Sequence, residues 1–246
     1  MPGTPEHSGS LAAPWWAVVP NALTASRVVM ALAFFAVLTA WRFDGSAASR
    51  GTYDGWLLFA SGLFIVAGLT DVLDGFLARR WHAETTFGRI MDPFADKILV
   101  IGAAVFLAGP DFWWPTPDKH RFIGHGIQLS GIYPWMVVAI LGRELLVTSI
   151  RGVLEAQGVR FAADWSGKLK MLCQSVCVPT VLITIAVTHV TPGPDGRPWG
   201  RLLIDAMVWT TVVVTILSGV PYAFRAAALV SQRAREGRAA GTKGGV

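Results

Sequence analysis

Six stretches of the chain are apolar for about 17–25 residues each, the length that crosses the hydrocarbon of a bilayer as a helix. They run about Asn21 to Trp41, Trp56 to Arg79, Gly88 to Leu107, Tyr133 to Arg151, Leu169 to His189 and Leu203 to Leu229. In hydrocarbon a backbone must satisfy its own hydrogen bonds, which a helix does within one segment. The composition agrees: 53% of residues are hydrophobic, 15% are charged, and the mean hydropathy is +0.49. The pattern predicts an all-α integral membrane protein of six transmembrane helices. The catalytic or binding unit is expected over 20–231. A polar tail at 1–19 precedes it, and a basic, disordered tail at 232–246 follows.

The formal charge of +5 does not indicate nucleic-acid binding, because the basic residues sit between apolar spans. Their placement sets an orientation instead. With both termini cytoplasmic, that side gathers Arg79, Arg80, Arg89, Arg151, Arg160, Lys168, Lys170 and the basic C-terminal end. Met1–Ala13 is polar and lacks an early basic cluster, so no cleavable signal peptide is expected. In the long 109–131 connection, Phe112, Trp113, Trp114 and Phe122 suit a membrane–water interface. Cys173 and Cys177, one helical turn apart, read as small core residues.

Against this apolar background stand Asp71, Asp74, Asp92 and Asp96. A charged group within a bilayer costs roughly 2.5–3.5 kcal/mol on insertion scales, so four of one sign need a counter-ion. Hard carboxylate oxygens suit Mg²⁺ or Mn²⁺. Helical spacing puts Asp71, Asp74, Gly75 and Ala78 on one stripe and Gly88, Asp92 and Asp96 on another. Antiparallel spans would bring the two stripes to one level, with small residues leaving room for a ligand.

Cations collect at the same level. Arg143, Val147 and Arg151 share a face of the fourth span, and Lys168 and Lys170 open the fifth. For Arg160 or Lys168 alone, positive-inside anchoring and phosphate binding are equally open readings. Arg143 lies within its span and calls for an anion, for which a planar guanidinium fork fits phosphate oxygens. Glu144 can orient a neighbouring cation. Arg27, one turn inside the first span, also needs an acidic partner. Asn21 or Thr24 is expected to cap that first helix.

The pattern D-x-x-D-G-x-x-A-R followed by G-x-x-x-D-x-x-x-D, here Asp71 to Arg79 and Gly88 to Asp96, resembles the signature of the CDP-alcohol phosphatidyltransferases. The flanks are Pro20 to Arg27, Thr86 to Gly88, Asp92 to Lys97, Arg143-Glu144 and Gly167 to Lys170. They are most similar to the bacterial members that use sn-glycerol 3-phosphate as the alcohol. The similarity fades in the last span.

The resemblance implies a homodimeric, multi-pass enzyme of a bacterial-type cytoplasmic membrane, its site facing the cytoplasm, acting on CDP-diacylglycerol. It implies two Mg²⁺ or Mn²⁺ ions held by Asp71, Asp74, Asp92 and Asp96, with Asp96 also the general base. Asp74, Gly75, Ala78, Arg79 and Gly88 would receive the nucleotide lipid. Arg143, Arg151, Lys168 and Lys170 would take the acceptor's phosphate. Other acceptors (inositol phosphate, serine, phosphatidylglycerol) remain open. A divalent-cation transporter is disfavoured, since the third and sixth spans carry no ionisable path through the midplane.

Overall fold

The structure, a computed structural model, describes residues 15–41, 53–81, 86–113, 128–156, 165–188 and 198–243. Within the helices, the side chains at 15–21, 24, 74–79, 81, 86–93, 96, 154–156, 165, 166, 198, 225, 226, 228–230 and 232–243 lie outside the described set. The described residues form six long helices: α1 Trp15–Ala40, α2 Gly55–Trp81, α3 Thr86–Leu107, α4 Pro134–Ala156, α5 Trp165–Thr188 and α6 Pro198–Lys243. A single 3₁₀ turn, Pro110–Phe112, follows α3. Among the described residues there is no strand, only one isolated bridge between Trp113 and Gln128.

Three helices contain segments long and apolar enough to cross a membrane: Gly55–Leu73, Gly167–Thr188 and Trp199–Phe224. Ala25–Ala40 and Lys97–Leu107 are apolar but shorter. Charged residues lie within three of the helices: Arg27 in α1, Asp92, Asp96 and Lys97 in α3, and Arg143, Glu144 and Arg151 in α4.

The helices pack so that α1 lies on α2 and α3, α2 on α5, α5 on α6, and α4 on α6 and α3. Inward positions recur at helical spacing, as with Ala60, Phe64 and Ala67 on α2. Small residues such as Ala31, Ala103 and Ala104 let backbones approach closely, the usual way helices associate in lipid. Rings fill the remaining space: Phe34 lies 5.6 Å from Phe64, and Phe35 stacks on Phe106 at 5.2 Å. The outward faces are apolar as well, with Leu32, Val66, Leu69, Val105, Val138, Leu172 and Leu217 exposed. Apolar exposure on this scale marks an interaction surface, here one suited to lipid.

Two boundaries differ from expectation. Helix α1 begins at Trp15, so Asn21 and Thr24 lie inside it and neither caps it. Pro20 falls in the second turn of this helix, where it supplies no amide donor. Helix α6 continues past Leu229 to Lys243, where a disordered tail was expected from 232. Its last turns carry several Ala and Arg residues, which favour helix.

The end of the bundle away from the aspartate motif is closed by local chemistry. Asp54 caps α2, its Oδ1 accepting from the amides of Trp56 (3.0 Å) and Leu57 (3.2 Å). Its Oδ2 accepts from Trp41 Nε1 at 2.7 Å, and its amide donates to the Ala186 carbonyl at 3.2 Å. One residue thereby ties the ends of α1, α2 and α5.

Phe112 is not at an interface: it is 1% exposed and stacks on Trp41 at 4.6 Å. The short turn after α3 directs it inward, and Gln128 and Ser130 cap α3 by donating to the Leu107 carbonyl. Gly131, at φ +69°, turns the chain into α4. A side chain there would meet Ile204 and Asp205. Trp114 and Phe122 lie outside the described residues.

Candidate active site

All four aspartate positions fall on helices, Asp71 and Asp74 in the second half of α2, Asp92 and Asp96 in the first half of α3. The two helices touch and are joined by the short connection 82–85, so both motif halves lie at one end of the bundle. The side chains of Asp74, Asp92, Asp96, Ala78 and Arg79 lie outside the described residues, as does the surrounding of Gly75 and Gly88. Among the described side chains no cluster of three metal-ligating groups occurs.

Asp71 is described, and its partner comes from α1. Arg27 Nη1 lies 2.6 Å from Asp71 Oδ1, and Arg27 is 1% exposed. The buried arginine thus has the acid its position demanded. The contact also holds α1 against the end of α2 that carries the motif. A buried ion pair contributes little net stability, but loss of either partner strands a charge at a cost of about 3–5 kcal/mol.

A second charged cluster joins α4, α5 and α6. Glu144 is buried, and its Oε1 accepts from both Arg143 Nη1 (3.1 Å) and Lys170 Nζ. Arg143 also reaches α6, donating through Nη2 to the Ser218 carbonyl at 3.2 Å. Two cations therefore share one carboxylate oxygen where charge is poorly solvated. Next to it, Gln174 donates to Thr215 Oγ1 at 3.3 Å. Two turns along α4, Arg151 Nη2 donates to Tyr222 Oη at 3.1 Å, with the guanidinium 5.8 Å from the ring centroid. Lys168 is exposed and stands apart from this trio. Lys97, the residue after Asp96, donates to Thr148 Oγ1 at 2.8 Å, linking α3 to α4.

Of the four expected phosphate-binding cations, the structure brings Arg143 and Lys170 together through Glu144. Arg151 joins them on the same face of α6, and Lys168 stays at the surface. Sequence reasoning missed the α6 side of this arrangement. The signal was Ser218-Gly219-Val-Pro221, a small-residue and proline break inside an apolar span. Pro221 has no amide hydrogen to bond back into the helix, so this turn is less tightly bonded than its neighbours.

Among the described residues, a helical bundle with an apolar outer face and both halves of the aspartate motif at one end is the architecture of a membrane protein. Residues 17–217 match the sequence profile of the CDP-alcohol phosphatidyltransferases, and the chain belongs to that family. It is similar to the CDP-diacylglycerol–glycerol-3-phosphate 3-phosphatidyltransferase of Bacillus subtilis, with 30% identity over 83% of this chain and 92% of that protein. It is 32% identical to a protein of Mycobacterium tuberculosis named as a probable phosphatidylglycerophosphate synthase, over 84% of this chain and 80% of the other. A Shigella flexneri CDP-diacylglycerol–glycerol-3-phosphate 3-phosphatidyltransferase is 33% identical over 68% of this chain and 78% of its own.

Proposed function

We propose that this chain transfers the phosphatidyl group of CDP-diacylglycerol to sn-glycerol 3-phosphate, giving phosphatidylglycerophosphate and CMP. The observation that carries the reading is the intact D-x-x-D-G-x-x-A-R and G-x-x-x-D-x-x-x-D pattern at the same end of the bundle as the Arg143–Glu144–Lys170 trio. The relatives' names support the choice of acceptor. In the reaction the acceptor's hydroxyl oxygen bonds to the β-phosphorus, the bond to the CMP oxygen breaks, and the hydroxyl proton goes to a base.

The roles follow from the chemistry of each group. Asp71, Asp74 and Asp92, with Asp96, form a donor set of hard oxygens suited to Mg²⁺ or Mn²⁺. Such ions, two in this reading, neutralise a diphosphate and stabilise a leaving phosphate oxygen. Asp96 accepts the proton of the acceptor hydroxyl, where reach matters more than pKa. Gly75, Ala78 and Gly88 leave space for the nucleotide, and Arg79 contacts its phosphate. Arg143 and Lys170, aided by Arg151 and Lys168, hold the phosphate of glycerol 3-phosphate.

The same reading makes all six helices membrane-spanning, with 20–231 as the catalytic domain, both termini and the site on the cytoplasmic side, and a homodimer as the working form. Apolar outward residues on every helix support six spans. The test is an assay of purified protein with CDP-diacylglycerol and a panel of alcohols, reading CMP release and the lipid product. Phosphatidylglycerophosphate formed only with glycerol 3-phosphate is the expected result. A product from serine or an inositol phosphate instead would replace the acceptor and keep the reaction class.

A further inference from the structure

Both α4 arginines make their α6 contacts within one turn of that helix. Arg143 meets the Ser218 carbonyl, and Arg151 meets the Tyr222 hydroxyl and ring. Ser218 and Tyr222 are buried. Between them, Gly219 lies directly under Arg143. A β-carbon built there would sit 3.0 Å from Arg143 Cγ and 3.6 Å from its Nε. That separation is shorter than ordinary packing, so any side chain at 219 must push the arginine stem aside. Arg143 Nε is itself buried without a hydrogen-bond partner, and Nη1 is already committed to Glu144. The guanidinium therefore has an unused donor in a closed place. Its aim is set by a glycine, a carbonyl and a carboxylate. The α6 part of this arrangement, Ser218, Gly219 and Tyr222, lies past residue 217, where the family match ends.

We infer that the Ser218–Tyr222 turn of α6 is a specificity element: Gly219 and the Ser218 carbonyl position Arg143, and Tyr222 positions Arg151, for the phosphate of the acceptor. These are positioning residues acting through the two arginines, which themselves touch substrate. The inference rests on the proposed acceptor site and adds the part of the chain that tunes it. A shift of a few tenths of an ångström in Arg143 weakens its hold on a small dianion. The nucleotide lipid, received by α2 and α3, is unaffected.

The experiment measures KM separately for glycerol 3-phosphate and CDP-diacylglycerol in G219A, G219V, Tyr222→Phe and Arg143→Ala. Alanine is the better helix former, so G219A does not weaken α6 itself. G219V is expected to raise the acceptor KM at least about tenfold, the size of one lost charged hydrogen bond. G219A is expected to raise it about threefold or more. Tyr222→Phe should raise it about twofold to fivefold, the worth of a neutral hydrogen bond. The CDP-diacylglycerol KM should stay within about twofold in all three, which separates lost binding from general damage. In an Arg143→Ala background, Gly219→Val should add almost nothing, because residues acting through one group are not additive. If G219V is not recovered as a folded protein, G219A decides alone. An unchanged acceptor KM in G219A, or equal losses for both substrates, overturns the inference. If Arg143→Ala leaves the acceptor KM unchanged, the acceptor site is misplaced and both readings fall. If Arg143→Ala raises it and the Gly219 variants do not, only the α6 element falls.

Discussion

At one end of the bundle Asp54 spends its oxygens on two backbone amides and an indole, and Arg201 is held by Asp205 and the Gln128 carbonyl. At the other end Glu144 divides a single oxygen between Arg143 and Lys170, and Arg151 has a neutral tyrosine for a partner. Polar side chains occur at both ends, but they do different work. At the Asp54 end each acid is matched to donors that are part of the fold. At the Glu144 end one buried carboxylate oxygen serves two cations, on α4 and α5, and Arg143 reaches on to α6. In the proposed reading this is the end that binds, and the Asp54 end is the one that holds the helices together.

The largest effect should come from the carboxylates of the binding end. EDTA is expected to abolish CMP release, and added Mg²⁺ or Mn²⁺ to restore it. Asp92→Asn should be inactive although it inserts and extracts like the parent protein. Full turnover in chelator would remove the metal from the reading and leave the four acids unexplained. Asp96→Asn comes next. If it is the base, kcat should fall by about 10²–10⁴ while CDP-diacylglycerol binding in saturating Mg²⁺ is nearly retained. Collapse of nucleotide-lipid affinity would make Asp96 chiefly a ligand, and turnover within a fewfold of the parent would remove it from both roles.

Much of this division could be read from the sequence where the signal is local. Apolar length located the six helices, and charge inside apolar segments pointed to Arg27, Arg143 and the acids. The need of Arg27 for an acid is met by Asp71, and Glu144 does orient its neighbours. What escaped was tertiary. Phe112 looked interfacial because nothing near it in sequence shows that Trp41 offers a stacking face. Gly219 looked like any glycine in a lipid-soluble helix until Arg143 was seen lying across it. Asp54 stands just before an apolar run, a capping signal that the sequence carries and that went unread.

A smaller, selective effect is expected at Arg143. Its loss should raise the KM for glycerol 3-phosphate about tenfold or more, one charged hydrogen bond being worth about 1.5–3 kcal/mol. The KM for CDP-diacylglycerol should change far less. Equal losses for both substrates would make Arg143 a structural residue, and the binding end would then resemble the Asp54 end.

The smallest kinetic effect belongs to Asp54, and it tests the comparison from the other side. Asp54→Ala removes a helix cap worth about 0.5–2 kcal/mol and the bond from Trp41 Nε1, worth about 1 kcal/mol. The variant should unfold several degrees lower in detergent, because α1, α2 and α5 lose their common tie. Assayed well below that temperature, it should keep kcat and both KM values within about twofold of the parent, since the Asp54 end bears no substrate. Thermal unfolding and steady-state kinetics on the same preparation give the answer. A raised acceptor KM in Asp54→Ala would mean that the two ends are mechanically coupled through α2 or α5. An unchanged unfolding temperature would mean that the cap and the indole bond do not hold this end together.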